Sequence, residues 1–413
     1  MNATVTELHT VETFWTARPI LTHIHDYARA RRAAPWGTFG AILPRALACV
    51  GPNVQLPPTI GSPASLNVAV ALVGPSGGGK GACEGASRDA VIFVDHNGQP
   101  IHTPELPLGS GEGVARSIRP AGTDDDEPNP NPRILFTAPE IDTLAALGAR
   151  QGATIMGELR KVYSGEPIGF ANASKATRSI VAAHSYRAPL IIGVQPLKAA
   201  PLLNDADGGM TQRILWTRVS DLTAPDSPPA VPDQVKVKLP RFGADTVYLE
   251  VPDTARTAMD AHRLAMLREG DVDPLDGHRM LTRLKVAAGL MILDGRSIVS
   301  DEDWSLAGVV IRESDRTRAG IERALTERAR ETNRARAEAK ADEADIIADR
   351  ADQRLHDRAR AAVVRRLERG GPASRKLVRD SMRSELKRHL DAALTELIVE
   401  GIVAEQPGRY ALA

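Results

Sequence analysis

The chain has 413 residues, 42% of them hydrophobic and 25% charged, and its 52 Lys and Arg side chains balance its 52 Asp and Glu side chains. This length predicts two or three domains, and the zero net charge gives the chain as a whole no electrostatic attraction to nucleic acid. The two cysteines lack a Cys-X-X-Cys spacing, which argues against a disulfide framework or a zinc site. No apolar run is long enough to cross a membrane, and the polar N-terminus lacks the apolar core of a signal peptide, so we expect a cytoplasmic protein.

The first 60 residues are predicted to form an N-terminal helical collar. Apolar residues recur at helical spacing from Phe14 to Tyr27, and a second apolar stretch runs from Phe39 to Val50. We expect these helices to pack on the domain that follows them.

The stretch Leu66–Gly81 has the order of a phosphate-binding loop. A run of β-favouring apolar residues leads into a glycine-rich segment, a lysine and the start of a helix. Glycines let backbone N–H groups converge on phosphate oxygens, and the lysine reaches the outer phosphates. The alternative is a flexible turn with an incidental lysine. The candidate ATP-binding residues are Gly74, Pro75, Ser76, Gly77, Gly78, Gly79, Lys80, Gly81 and Ala82.

Gly81 departs from the usual pattern of such loops. A Ser or Thr normally follows the lysine, and its hydroxyl is a magnesium ligand. Because Gly81 has no side chain, Mg²⁺ must be held in a different way here, or weakly.

A second strand, from Arg133 to Glu140, ends in the candidate catalytic base. A carboxylate at the C-terminal edge of such a strand lies beside bound phosphates and can polarise the attacking water, which is the role we predict for Glu140. The residue before it, normally Asp, is Pro139, so we predict that Glu140 and Asp142 hold Mg²⁺. The alternative is that Glu140 only caps the helix that follows.

Two further strand ends carry candidate functional residues. Gln195 follows the apolar strand 189–194, where a side chain that senses the γ-phosphate would lie. Arg213 precedes the strand Ile214–Trp216 and could reach the nucleotide of a neighbouring subunit as an arginine finger. The alternative for Arg213 is an ion pair with a local carboxylate.

The segment 168–183 is predicted to form two short strands joined by a basic turn. Lys175 and Arg178 in this turn are candidate contacts to a DNA backbone, although a surface loop explains them as well.

The strands of residues 61–250 alternate with helices, which predicts an α/β core with a mainly parallel sheet. A helical lid is expected over 251–311 and a charged helical linker over 312–353. Residues 354–413 follow the order of a winged helix and contain 13 Lys and Arg against 8 Asp and Glu. Winged helices also dock proteins, but we favour DNA here. The candidate DNA-binding residues are Arg375, Lys376, Arg383, Lys387 and Arg388.

Four motifs in this order resemble the P-loop primase-helicase-like ATPases of phages, plasmids and integrative elements. They are Gly-Pro-Ser-Gly-Gly-Gly-Lys-Gly at 74–81, Pro-Leu-Gly-Ser-Gly-Glu-Gly at 107–113, Glu-Leu-Arg-Lys-Val-Tyr-Ser-Gly at 158–165 together with Gln195-Pro196, and Gly-Gly-Met-Thr-Gln-Arg at 208–213. The order of lid and winged helix is also similar to that of MCM-type helicases. The resemblance implies a RecA/AAA+-like core in which Lys80 binds phosphate, Glu140 activates water, Gln195 senses the γ-phosphate and Arg213 acts across a subunit interface.

From these residues and this resemblance we expect an ATP-dependent DNA motor, a replicative helicase-like protein of a mobile genetic element. We expect a homo-oligomer, with a hexameric ring favoured, and a primase in trans because the chain has no primase signature. Two alternatives keep the nucleotide site. One is an ATP-switched replication initiator or helicase loader, and the other is a DNA-docking protein that binds nucleotide without hydrolysing it.

Overall fold

The computed structural model of the chain describes residues 10–119, 131–148, 154–171, 179–203, 209–270 and 276–413. The chain divides into two compact units, residues 1–326 and residues 327–413. The finer domain boundaries expected from the sequence remain predictions.

The first unit alternates strands and helices along most of its length. Its elements are α1 (Val11–Phe14), α2 (Pro19–Ala30), α3 (Pro35–Ala48), β1 (Val54–Leu56), β2 (Ala64–Ser65), β3 (Ala69–Val73), α4 (Lys80–Ala90), β4 (Val91–Val94), β5 (Glu105–Pro107), α5 (Gly111–Ile118), β6 (Leu135–Ala138), α6 (Ile141–Gly148), α7 (Ile155–Ser164), β7 (Leu190–Val194), α8 (Ala200–Leu203), β8 (Ile214–Arg218), β9 (Val235–Lys238), β10 (Val247–Tyr248), α9 (Asp253–Leu267), α10 (Arg279–Leu293) and the start of α11 (Asp301–Gly370).

The centre of this unit is a five-stranded sheet in the order β5-β6-β7-β3-β8, with every neighbouring pair parallel. The β3 strand is buried along its whole length, as its apolar sequence predicts. Successive side chains of a strand point to opposite faces, and β3 accordingly contributes Val70 and Leu72 to one apolar core and Ala69, Ala71 and Val73 to the other. The expected α/β architecture with a parallel sheet is therefore confirmed.

The predicted N-terminal helices form, and they belong to the same core as one face of the sheet. Phe14, Trp36 and Phe39 are buried together with residues of β3 and α10. Phe14 stacks on Trp36 with ring centroids 5.0 Å apart and meets Phe39 edge-on at 5.5 Å. Pro19 and Pro35 each begin a helix, the position where a missing N–H costs no hydrogen bond.

A buried arginine joins the segment after α3 to the sheet. The Arg187 side chain is completely buried just before β7. Its guanidinium donates hydrogen bonds to the carbonyl oxygens of Gly51 at 2.9 Å and Val54 at 2.6 Å, and to the hydroxyl of Ser65 at 2.8 Å. Burial lowers the pKa of Arg187, and these oxygens compensate for the loss of water around its charge.

Two smaller sheets differ from what the sequence suggested. The sequence predicts one mainly parallel sheet for residues 61–250, whereas β4 pairs with β9 in a separate two-stranded sheet. The Pro-rich stretch before β3 contains β1 and β2, which form a three-stranded sheet with β10. Both differences depend on pairing with strands far along the chain, which local sequence patterns do not report.

The third long helix after the sheet, α11, is continuous over 70 residues. The sequence suggested a lid helix, a linker and the first helix of a further domain, whereas one helix supplies all three. It starts at a capping box, because the Ser300 hydroxyl accepts a hydrogen bond from the Asp303 N–H while the Asp303 carboxylate accepts one from the Ser300 N–H. Ala, Glu and Arg are strong helix formers, and they sustain it through its solvated part. No described helix combines the length with the apolarity that crossing a bilayer requires.

The second unit has its own apolar core. Beyond the end of α11 its elements are α12 (Arg375–Asp380), a 3₁₀ helix (Ser384–His389), α13 (Leu390–Val399), β11 (Val403–Gln406) and β12 (Arg409–Leu412). The two strands form an antiparallel hairpin. This is the predicted order of helices and strands, except that the third helix begins as a 3₁₀ turn. The assignment of these elements to a winged helix remains a prediction.

Candidate phosphate-binding site

The glycine-rich loop lies where the sequence placed it, between the C-terminal end of β3 and the start of α4. Gly77 and Gly79 have φ angles of +71° and +97°, a left-handed conformation that strongly favours glycine. Gly79 is the residue immediately before α4, so the loop delivers its backbone to the N-terminus of a helix. The unsatisfied N–H groups and positive partial charge of a helix N-terminus favour an anion at this position.

Lys80 is the first residue of α4, and its side chain folds back over the loop. Its ammonium donates hydrogen bonds to the carbonyl oxygens of Gly74 at 3.0 Å and Pro75 at 2.9 Å. A phosphate group would offer the same ammonium a charged acceptor in place of neutral ones, and charge-assisted hydrogen bonds are the stronger kind.

The end of β6 lies close to Lys80, with one glycine between them. A Cβ atom added to Gly193, on β7, would lie 1.9 Å from the carbonyl oxygen of Pro139 and 3.5 Å from Cδ of Lys80. The Lys80 side chain and the Pro139–Glu140 backbone therefore adjoin the same residue. The Glu140 side chain is exposed at this edge, the placement expected of a residue that acts on a bound phosphate.

The second predicted metal ligand, Asp142, forms an ion pair with Lys198 instead. Lys198 ends a 3₁₀ turn that follows Gln195 at the end of β7, and the hydrogen bond that its ammonium donates to the Asp142 carboxylate raises the pKa of Lys198. The half-buried Gln195 thus lies at the same edge of the sheet as the loop, as predicted. Lys198 was missed because its approach to Asp142 depends on how β6 and β7 align.

The residues at this edge fit phosphate groups better than they fit Mg²⁺. Gly81 and Pro139 occupy the two positions that normally supply oxygen ligands, and neither has a side-chain oxygen. The Asp142 carboxylate is already paired with Lys198. Within the described residues, no group of three or more His, Cys, Asp or Glu side chains is placed to hold a metal ion. The predicted Mg²⁺ pair of Glu140 and Asp142 is therefore not supported by this arrangement.

Arg213 lies at the opposite edge of the sheet from the loop. It immediately precedes β8, whose first residue, Ile214, pairs with Ala69 at the start of β3. Five residues of strand, about 16 Å, separate that edge from the loop. The Arg213 guanidinium donates a hydrogen bond to the carbonyl oxygen of Gly209 at 2.8 Å and lies 5.7 Å from the centre of the Tyr163 ring. Within its own chain Arg213 does not approach the loop, and its role across a subunit interface remains a prediction.

A different arginine lies at the edge of the loop. Arg218 ends β8 and pairs in register with Val73, the last residue of β3. Its Nε lies 2.8 Å from Oε1 of Glu313, a carboxylate of α11 that is only 4% exposed. Burial raises the pKa of Glu313, and the charges of Arg218 and Arg316 oppose that rise. Local sequence patterns carry no signal for this cluster, because α11 meets β8 only in the tertiary structure.

A cavity of about 650 Å³ opens beside the loop, within the first unit. The loop contributes Gly74, Pro75 and Gly78 to its lining, and α11 contributes Glu313 and Arg316. Its volume is within the range of small-molecule sites. Apolar side chains complete the wall and suit the flat base of a nucleotide: Val11, Val219, Ile321 and Ala324.

The predicted DNA-binding residues of the second unit differ in their partners. Arg375 is on α12 and pairs with Asp391, with its Nη2 and the carboxylate 2.6 Å apart, and Arg388 pairs with Asp352 at 3.0 Å. Arg375 was expected at or near the N-terminal side of the third helix, and it lies on the short helix that precedes it, α12, which ends at Asp380. Three of the five form no ion pair with the described residues: Lys376, Arg383 and Lys387. Lys175 and Arg178 lie outside the described residues.

Comparison with known proteins adds no family to this geometry. No protein-family model matches the chain, and no curated protein matches it.

Proposed function

We propose that this chain is an ATP-dependent DNA motor, a helicase-like replication protein of a mobile genetic element. The observation that carries the proposal is the meeting of Lys80 and the end of β6 on either side of Gly193, beside a cavity of nucleotide size. The Glu140 carboxylate, two residues beyond that strand end, would lie beside the terminal phosphate of a nucleotide on the loop.

In the proposed reaction, the triphosphate lies on the loop and the N-terminus of α4, with Lys80 on its outer phosphates. The Glu140 carboxylate accepts a proton from water as the water oxygen bonds to the γ-phosphorus. The bond from the γ-phosphorus to the β–γ bridging oxygen breaks, releasing ADP and inorganic phosphate. The Gln195 amide would position the attacking water or the γ-phosphate.

The proposed motor is a ring of copies, with a hexamer favoured, that moves DNA as each site hydrolyses ATP. In that assembly Arg213 of one copy would face the nucleotide of the next, and a primase would act in trans. The second unit would hold DNA through three of the predicted DNA-binding residues, which form no ion pair with the described residues: Lys376, Arg383 and Lys387. Its short helices and its hairpin support the proposal that this unit is a winged helix.

The deciding measurement is the ATPase rate with and without single-stranded DNA for wild type, Lys80→Ala and Glu140→Gln. We expect DNA to stimulate the wild type, and both variants to lose hydrolysis by about 10²-fold or more, while Glu140→Gln still binds ATP. Asp26→Asn is a control, because the Asp26 carboxylate pairs with His25 and does not belong to the proposed phosphate site. Equal rates in all four proteins would refute the catalytic assignment.

A second candidate function is an ATP-switched initiator or helicase loader. The separate core of the second unit favours it, since a self-contained module can recognise duplex DNA without moving along it. Sequence-specific duplex binding without strand displacement would support this candidate over the motor. The lack of side-chain oxygens at Gly81 and Pro139 favours a third candidate, a DNA-docking protein that binds ATP without hydrolysing it.

A further inference from the structure

A triphosphate bound at the proposed site needs positive charge nearby to neutralise its phosphates. At neutral pH the phosphates of ATP carry about four negative charges, and Mg²⁺ normally offsets two of them. The two side chains that would normally orient that metal are absent at Gly81 and Pro139. The third candidate oxygen donor, Asp142, already has an ammonium as its partner.

The structure has room for a side chain at position 81. A Cβ atom added there meets no other atom within 4 Å, and the residue is exposed. A Ser or Thr would therefore fit the first turn of α4 without displacing any neighbour. The missing hydroxyl at position 81 is therefore not explained by lack of space.

Four basic side chains flank the loop instead. Lys80 and Lys198 lie on the side of β7, where Lys80 adjoins Gly193 and Lys198 follows Gln195. Arg218 and Arg316 lie on the other side, on β8 and α11, and both face Glu313. Arg316 keeps 66% of its side chain exposed and lines the cavity.

Each of these cations is held by an oxygen that a phosphate could replace. Lys80 is held by two backbone carbonyls, Lys198 by Asp142, and both Arg218 and Arg316 by Glu313. Three carboxylates also face this region, those of Glu140, Asp142 and Glu313, so four positive charges exceed the negative ones by a single charge. One guanidinium can bind two phosphate oxygens at once, which orients the phosphate in addition to neutralising its charge.

We propose that this site binds the phosphates of its nucleotide through basic side chains and does not require a divalent cation. The proposal rests on the proposed nucleotide site but not on hydrolysis or on DNA. Lys80, Lys198, Arg218 and Arg316 supply the charge that a metal supplies in sites with a hydroxyl after the lysine.

Calorimetric titration of the full chain with ADP and with a non-hydrolysable ATP analogue tests this, in excess Mg²⁺ and in excess EDTA. We expect the dissociation constants in the two buffers to differ by less than about threefold, which is under 1 kcal/mol. Binding that is more than about tenfold weaker in EDTA would overturn the proposal. No binding in either buffer would overturn the proposed nucleotide site itself, so the two failures are distinguishable.

Gly81→Thr gives the site the missing hydroxyl, and Gly85→Thr is its control. Gly85 is also on α4, and an added Cβ there likewise meets nothing within 4 Å. We expect Gly81→Thr to bind the ATP analogue about tenfold more tightly in Mg²⁺ than in EDTA, because a Thr hydroxyl is a metal ligand, and Gly85→Thr to behave like wild type. Wild type that already shows the full Mg²⁺ dependence of Gly81→Thr would overturn the proposal.

The cations themselves provide the second arm of the test. Lys198→Gln and Arg218→Gln should each weaken binding by a similar factor in both buffers, on the order of tenfold. Thermal unfolding of the unliganded variants separates this loss from misfolding. Affinity unchanged in both variants, with normal folding, would refute the role of the basic side chains.

Discussion

Substituting Gly193 with alanine probes the contact on which the proposed site depends. The new Cβ would lie 1.9 Å from the carbonyl oxygen of Pro139, whereas real Cβ contacts are essentially never closer than 3.0 Å. The backbone at the end of β6 must therefore move by about 1 Å, because a carbonyl group cannot rotate away as a flexible side chain can. Glu140 is the next residue, so this shift moves the proposed base relative to Lys80.

We expect two separable effects of Gly193→Ala. Overpacking in a well-packed sheet costs about 1–3 kcal/mol, which urea unfolding would report as a lower midpoint. Displacement of a catalytic group by about 1 Å costs on the order of 10²-fold in turnover, which a steady-state ATPase assay would report in kcat. Nucleotide binding should change less, because the loop, the start of α4 and Arg218 are not attached to β6.

Gly85→Ala is the matched control, because its added Cβ meets nothing within 4 Å. Alanine is the better helix former, so this control should be as stable as wild type or slightly more stable. A Gly193→Ala protein with the stability and kcat of wild type would refute the reasoning, since β6 and β7 could not then be in the contact described.

Two further predictions concern DNA and pH. Replacing both Lys376 and Arg383 with glutamine should weaken DNA binding about tenfold and reduce the slope of log affinity against log salt by about 2. Arg358→Gln is the control and should do neither, because the Arg358 guanidinium is paired with Glu385. Equal salt slopes for all three proteins would contradict this placement of the interface. Burial, together with the charges of Arg213 and Lys285, lowers the pKa of His278 to about 4. Between about pH 6.5 and pH 4, the unfolded chain therefore binds a proton at this residue that the folded chain does not bind. Unfolding free energy should therefore fall by about 1–2 kcal/mol as the pH is lowered through that window, after allowance for solvent screening, and His278→Gln should remove this component in urea titrations at several pH values. A pH profile unchanged by His278→Gln would show that another group is responsible.

The parts of the site that local sequence predicts are those formed by consecutive residues. An apolar strand, then glycines, then Lys80 at the start of a helix is a continuous pattern, and the structure has it in that order. The position of Glu140 also follows from local sequence, because a residue just after a buried parallel strand must lie at the edge shared with the loop.

The parts that sequence reasoning missed are formed by residues far apart in the chain. Glu313 is nearly a hundred residues beyond Arg218, and nothing in either local pattern indicates that they meet. The same limit applies to Lys198 and Asp142, which are brought together by the pairing of β6 with β7. Arg213 illustrates the converse, since a motif placed it correctly before a strand but did not show at which edge of the sheet that strand begins.

The hydrogen bonds of Arg187 limit how this protein can be divided into smaller pieces. A fragment that starts at residue 61 would remove Gly51 and Val54, whose carbonyl oxygens accept from the guanidinium, and would leave a positive charge enclosed in apolar surroundings without those acceptors. It would also expose the face of the sheet that the first three helices cover. Any minimal version of the first unit must therefore keep its N-terminal helices.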